Sequence, residues 1–169
     1  MKTKNFLLFI LILGVLFTAC NKEDETIVKN GEAYGDKISI KKLLDAVNYA
    51  RTNGYTCEKD GAVYPPVDEV VWNDTLAKTA YDHSKDMSSN NFFSHTGSDG
   101  SNCGKRALNN NYKFYTLGEN IAKGNMNEEQ VVEAWLKSPG HCKNIMNSKF
   151  EEMGVSKIGL YWTQVLGKK

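Results

Sequence analysis

Along "ISIKKLLDAVNYARTNG" the apolar residues Ile40, Leu43, Leu44, Val47 and Ala50 recur at the spacing of one helical face, and Gly54 closes the run. A second helix is predicted after Asn73, a residue suited to capping it. On that helix Leu76, Ala80, His83 and Met87 form a single stripe. Thr56 to Asp74, between the two, reads as a long loop, because Pro65 and Pro66 exclude a helix. "NNFFSHTGSDGSNCG" (Asn90 to Gly104) is rich in Gly, Ser and Asn and predicts a second loop, with a short helix over Lys105 to Asn109. Leu117 to Gly124 reads as a short strand. "NEEQVVEAWLK" predicts a third long helix, with a capping-box spacing at Asn127 and Gln130 and with Glu128 and Glu129 at the positive end of its dipole. Ser138 and Pro139 end that helix and begin another helical turn. "MGVSKI" and "LYWTQVL", separated by Gly159, predict a closing antiparallel hairpin. Few strands, mostly late, among more numerous helices argue an α+β fold with helices packed on a small three-stranded antiparallel sheet.

The first residues break this pattern. "MKTKN" is a short basic segment, and Phe6 to Phe17 is an apolar run of 12 residues, short for a bilayer span and suited to a signal peptide. "FTAC" then resembles a bacterial lipobox, with Phe17 in place of the usual Leu, so that Cys20 is the expected lipidation site. The other reading is an ordinary cleaved signal followed by an incidental cysteine. Residues 1–19 are thus read as a lipoprotein signal, 20–36 as a polar tether and 37–169 as the folded domain. The acidic run "NKEDE" resembles a surface-display signal, and it equally suits a solvated tether. The expected location is lipid-anchored in the cell envelope, on the extracytoplasmic side.

That location permits disulfides. Without Cys20, three cysteines remain (Cys57, Cys103 and Cys142), which is one pair and one leftover thiol. With 169 residues the chain suffices for one domain with a core, and a net charge of +1 gives no sign of a nucleic-acid partner or a polybasic membrane surface.

Three residues stand out as candidates for a site. His95 lies in a polar loop after two aromatics. Glu119, between Gly118 and Asn120, sits in a strand suited to burial and so needs a partner for its charge. His141 begins a helical turn whose N-terminus favours neutral imidazole, the form a metal ligand or general base needs. His83 is read as a satisfied core histidine. The adjacent His141 and Cys142 admit three readings: a nucleophile with its base, a pair of metal ligands, or a staple beside a site residue. No H-E-x-x-H, G-x-S-x-G or P-loop is present.

"VVWNDTLAKTAYDHSKDM", "NFFSHTGSDGS", "LGENIAKG", "VVEAWLKSPGHCKNIM", "EEMGV" and "YWTQVLG", in this order, resemble the CAP superfamily, also called the SCP domain, in its bacterial form. The resemblance covers roughly Ile38 to Gly167. It implies an α-β-α sandwich in a secreted or surface-anchored protein. Many eukaryotic members line a central cleft with two His and two Glu able to hold a divalent metal. His95 and Glu119 match one of each. Ser138 and Tyr161 stand at the positions of the others, and His141 belongs to the bacterial "SPGH" motif, within reach of the same cleft. A set of His95, Glu119 and His141 is expected either to hold zinc with an open fourth position or to form a hydrogen-bonded trio shaping the cleft.

The resemblance also implies a Cys57–Cys142 disulfide, with Cys103 unpaired and Cys103–Cys142 as the fallback. Closing a loop of about 85 residues stabilises by roughly 3 to 5 kcal/mol in the chain-entropy model. The function expected is a binding module for a small molecule, a lipid or a protein partner. The alternatives are a metal-dependent, peptidase-like hydrolase, with His95 or His141 as base and Glu119 as orienter or acid, and a non-catalytic structural envelope protein.

Overall fold

The computed structural model describes residues 34–169. The segment read as a signal peptide, Cys20 and most of the segment read as a tether lie outside the described residues. Helix α1 (Ile40–Asn53) is capped by the Ser39 side chain and buries Leu43, Val47 and Ala50. The loop after it holds a two-stranded hairpin, β1 (Tyr55–Thr56) with β2 (Val63–Tyr64), then β3 (Val71–Trp72). Asn73 Oδ1 accepts from the N–H groups of Thr75 and Leu76 and so caps α2 (Asp74–Ser89) as expected. Helix α3 (Cys103–Asn109) begins two residues earlier than its pattern predicted, because Asn102 caps it through Lys105 N–H. Strand β4 (Thr116–Lys123) precedes α4 (Glu128–Leu136), whose capping box between Asn127 and Gln130 forms in both directions. Helix α5 (Pro139–Ile145) starts on its proline, and β5 (Glu152–Ile158) and β6 (Tyr161–Lys168) make the closing hairpin around Gly159 (φ 58°).

The main sheet runs β3-β5-β6-β4. The three antiparallel strands legible in the sequence are its body, with β6 in the centre. To this β3 adds a fourth, two-residue strand parallel to β5, too short to show any alternation in sequence. Successive side chains of β6 alternate between two cores, as strand geometry requires. Trp162 and Leu166 join the larger core with Leu43 and Val47 of α1, Val131 and Trp135 of α4 and Ile145 of α5. Val165 faces the other way, onto Leu76 and Ala80 of α2 and Ala107 of α3. The result is an α-β-α sandwich. On the α2 face, Gly154 of β5 lies so close to the helix that a Cβ there would fall 2.0 Å from Ala77 N.

Two long-range ties fix the layers. Cys57 and Cys142 form a disulfide across 85 residues, joining the loop after α1 to α5, and Cys103 is free. Arg51, wholly buried, donates to the carbonyls of Asp68, Ile145, Asn147 and Phe150. The folded part also begins before residue 37. Asp36 N–H donates to Lys157 O, Gly159 N–H donates to the Asp36 carboxylate, and Ser156 donates to Tyr34 O. Residues 34–36, read as tether, therefore pack on the β5–β6 hairpin.

Candidate functional site

The site is built around one carboxylate. In β4, Glu119 lies opposite Val165 of β6, so its side chain emerges on the face covered by α2 and α3. It is 5% exposed there, and an isolated charge in that position would be costly. Arg106 of α3, itself buried, donates to Oε2 at 2.7 Å. His95 donates from Nδ1 to Oε1 at 2.8 Å. Burial pushes the Glu119 carboxyl up, but the His95 hydrogen bond and the Arg106 guanidinium, with His83 nearby, outweigh it and hold the group below its ordinary value. Glu119 is a fixed anion, and each of its oxygens is already committed.

Arg106 also braces the loop that carries His95. Its guanidinium donates to Ser101 O at 2.8 Å and to His95 O at 3.1 Å. His95 is thus held at both its backbone and its ring, yet its side chain is 57% exposed. With Nδ1–H given to Glu119, the ring presents Nε2 to a visitor, and no protein group bonds to that atom among the described residues.

His83 lies in the core as expected, but it is also a neighbour of the site. Its Nε2–H donates to Ser94 O at 2.8 Å and stands 3.8 Å from Glu119 Oε1. Burial pushes its pKa down, and its buried Nδ1 has no partner among the described residues. On the opposite face, His141 of α5 is half-buried; burial first, then the nearby His95, lowers its pKa. Its carbonyl accepts from Asn120 Nδ2, and Asn120 in turn bonds Gln164 and Asn144. The expected hydrogen-bonded trio is therefore a pair, His95–Glu119, completed by Arg106 instead of by His141.

Ser138 caps the backbone start of α5 without a side-chain cap bond. Tyr161 is 6% exposed, packs with Met87, Ile121 and Phe92, and donates to Asn91 Oδ1 at 3.3 Å. Among the described residues no hydrogen bond joins Ser138 or Tyr161 to the Glu119 group. The residues do not fit a divalent metal. Among the described residues no group of three or more His, Cys, Asp or Glu is placed to hold one, and a guanidinium occupies the carboxylate that zinc would need.

Candidate nucleophiles are also poorly placed. Ser94 Oγ accepts from Thr96 N–H and makes no bond to an imidazole. Cys103 is next to Glu119, and burial first, then that carboxylate, pushes its thiol well up, away from the reactive thiolate. Cys142 is in the disulfide.

Arg106 was the functional residue hidden from sequence reading, although a signal existed. Of 21 Lys and Arg residues only Arg51 and Arg106 are arginine, and both are buried. Lysine serves the surface, whereas the planar five-donor fork is kept for interior carbonyls and a carboxylate.

Known proteins share this fold. The profile of the cysteine-rich secretory protein family, CAP, matches residues 44–161. The uncharacterized protein YkwD of Bacillus subtilis (strain 168) is 36% identical over 126 residues, which cover 73% of this chain and 45% of that protein. The uncharacterized membrane protein YlbC of the same strain is 33% identical over 126 residues, covering 75% of this chain and 33% of that protein. The chain thus spans less than half the length of either relative. Among solved structures, an extracellular protein containing an SCP domain from Bacillus anthracis str. Ames superposes with a TM-score of 0.66 at 30% identity, covering 76% of this chain and 40% of that one. An outer surface protein from Borrelia burgdorferi has the same fold, with a TM-score of 0.60 at 22% identity over 80% of this chain and 98% of its own.

Proposed function

Because the chain belongs to the cysteine-rich secretory protein (CAP) family, we propose that it is an extracytoplasmic binding module, lipid-anchored in the cell envelope through Cys20. The observation that carries the binding role is His95: a half-exposed imidazole fixed from behind by a charge-paired carboxylate, with no partner at Nε2 and no nucleophile bonded to it among the described residues. Such a group recognises a ligand through a hydrogen bond. In its neutral form Nε2 accepts from a hydroxyl or an amide N–H, and when protonated it donates to an anion. The lipobox-like "FTAC" and the extracellular relative from Bacillus anthracis support the location.

The Glu119–His95 pair resembles the base-orienting half of a hydrolytic triad, which keeps catalysis as the second reading. That reading needs an attacking group, and Ser94, Cys103 and Cys142 do not supply one. The metal-activated form finds no ligand set among the described residues.

Native mass spectrometry of the full chain, extracted from its own envelope in mild detergent, tests the binding role. The unaltered chain should carry a small molecule, lipid or peptide that His95→Ala loses. Identical spectra for the two would sink the reading, and steady hydrolysis of generic ester or peptide substrates, lost in His95→Ala, would replace it with the second.

A further inference from the structure

The backbone and ring of the loop around His95 are held at three points. Ser94 O accepts from His83 Nε2–H of α2 at 2.8 Å, and His95 O accepts from Arg106 of α3 at 3.1 Å. The His95 ring gives its Nδ1–H to Glu119 Oε1 at 2.8 Å. The two carbonyls belong to the peptide groups on either side of the His95 Cα. Each peptide group is planar, so fixing both planes restrains φ and ψ of His95 together. Glu119 then restrains the side-chain torsions. Arg106 and Glu119, an ion pair, supply two of these holds. The third comes from a neutral ring in the interior.

His83 is wholly buried, on the stripe of α2 that also carries Leu76, Ala80 and Met87. A polar ring in an apolar stripe is costly unless it is bonded, and a leucine or methionine would pack there without that cost. The ring makes one hydrogen bond among the described residues: Nε2 reaches Ser94 O, and the buried Nδ1 has no partner. A carbonyl only accepts, so the proton is on Nε2. Nε2 stands 3.8 Å from Glu119 Oε1, beyond hydrogen-bond distance, and so leaves that oxygen to His95. Phe92 of the same loop meets the His83 ring edge-on, with centroids 6.3 Å apart, and its N–H is bonded to Met87 O. The loop is thus seated on α2 on the N-terminal side of His95, and His83 makes the hydrogen bond nearest to it.

We propose that His83 is a positioning residue of the His95 site: by holding the Ser94 carbonyl it aims the imidazole whose Nε2 meets the ligand. This rests on the reading of His95 as the ligand-contacting group and says what orients that group. His83 itself touches no ligand. A side chain that is already ordered needs no further ordering when the ligand arrives, so loss of the hold should weaken binding about two- to tenfold.

Nuclear magnetic resonance of the imidazole nitrogens tests this on the full chain, carrying isotope-labelled histidine, in mild detergent. In the unaltered chain His83 should hold its proton on Nε2 and His95 on Nδ1, each as a single tautomer. His83→Gln retains a donor for Ser94 O and should keep the single tautomer at His95. His83→Leu fills the apolar stripe without a donor, and its His95 ring should average between tautomers although Glu119 and Arg106 are still present. The ligand seen by native mass spectrometry should be retained by His83→Gln and diminished in His83→Leu.

A proton on Nδ1 of His83 in the unaltered chain would overturn the proposal whatever the variants do, since that tautomer cannot donate to Ser94 O. A single His95 tautomer that survives in His83→Leu would overturn it too and leave His83 a packing role, even if melting falls. Averaging in His83→Gln as well would count against it, because the glutamine restores the donor. Failure of the binding reading shows elsewhere: a ligand that His95→Ala retains would remove that reading, while the tautomers would still decide whether His83 aims the ring.

Discussion

Glu119 shows how one residue's environment sets its role. Its charge is balanced by Arg106 in the interior and shared with His95 at the surface, so the buried end of the pair is permanent and the exposed end is available. Removing the guanidinium should be severe. Arg106→Met leaves a buried anion with only a partly exposed imidazole and should cost about 3 to 5 kcal/mol in urea unfolding. Adding Glu119→Gln to that variant should recover part of the loss, because the remaining group is neutral. No recovery would mean that Arg106 acts chiefly through the Ser101 and His95 carbonyls.

The same cluster dictates the acid response. His83 and His141 lie below their ordinary value of 6.5 in the folded chain, in both cases chiefly through burial. Unfolding releases them to take up protons, so their contribution is complete above pH 6.5 and is lost as pH falls through the window below it. Glu119 lies below its ordinary 4.5, so its contribution is present above that pH and is lost on further acidification. The melting temperature should be level above about pH 7, decline below 6.5 and fall more steeply below 4.5. In His83→Gln, whose amide can still donate to Ser94 O, the first decline should be shallower. A melting temperature that rises from about pH 7 to about pH 5 would contradict this assignment.

At the scale of elements, the helices and the closing hairpin were legible because their signals are local. Asn73 and Asn127 cap where their spacing says they should, and Gly159 turns where two apolar runs meet. Asn127→Ala should cost about 1 kcal/mol through the lost cap, measured by urea unfolding. The parallel strand β3 was not legible, because its two residues take their partner from β5, some 80 positions away in sequence (Val71↔Glu152). The site was half legible for the same reason. His95 and Glu119 were found from residue type and motif. Arg106 lies in a short helix whose pattern says nothing about which strand it meets, and Tyr161 occupies a matching position but packs into a small apolar cluster. The close approach of α2 to β5 was also invisible, since Gly154 in a strand only hints at crowding. Gly154→Ala must displace the Ala77 backbone and should destabilise by about 3 kcal/mol or more, or prevent folding.

At the scale of the whole molecule, a covalent tie between distant parts, Cys57–Cys142, holds the sandwich. Cys57→Ser with Cys142→Ser should lower stability by about 3 to 5 kcal/mol. Reductant should shift the melting of the unaltered chain by a similar amount and leave that of the double variant unchanged. The proposed anchor is tested independently: Cys20→Ala should move the protein from the membrane fraction and abolish incorporation of labelled fatty acid, while the melting of the folded part stays the same.

The tie has a consequence beyond its energy. Helix α5 contains Cys142 and, one residue before it, His141, and, two residues after it, Asn144, which donates to the Glu119 carbonyl. One side of the Glu119 site is therefore fastened by a bond that oxidising conditions favour. In a reducing compartment the chain holds every residue of that site but lacks the clasp on α5. In the extracytoplasmic location proposed for the chain, fastening of the site would follow delivery, and the site would take its finished shape at the destination.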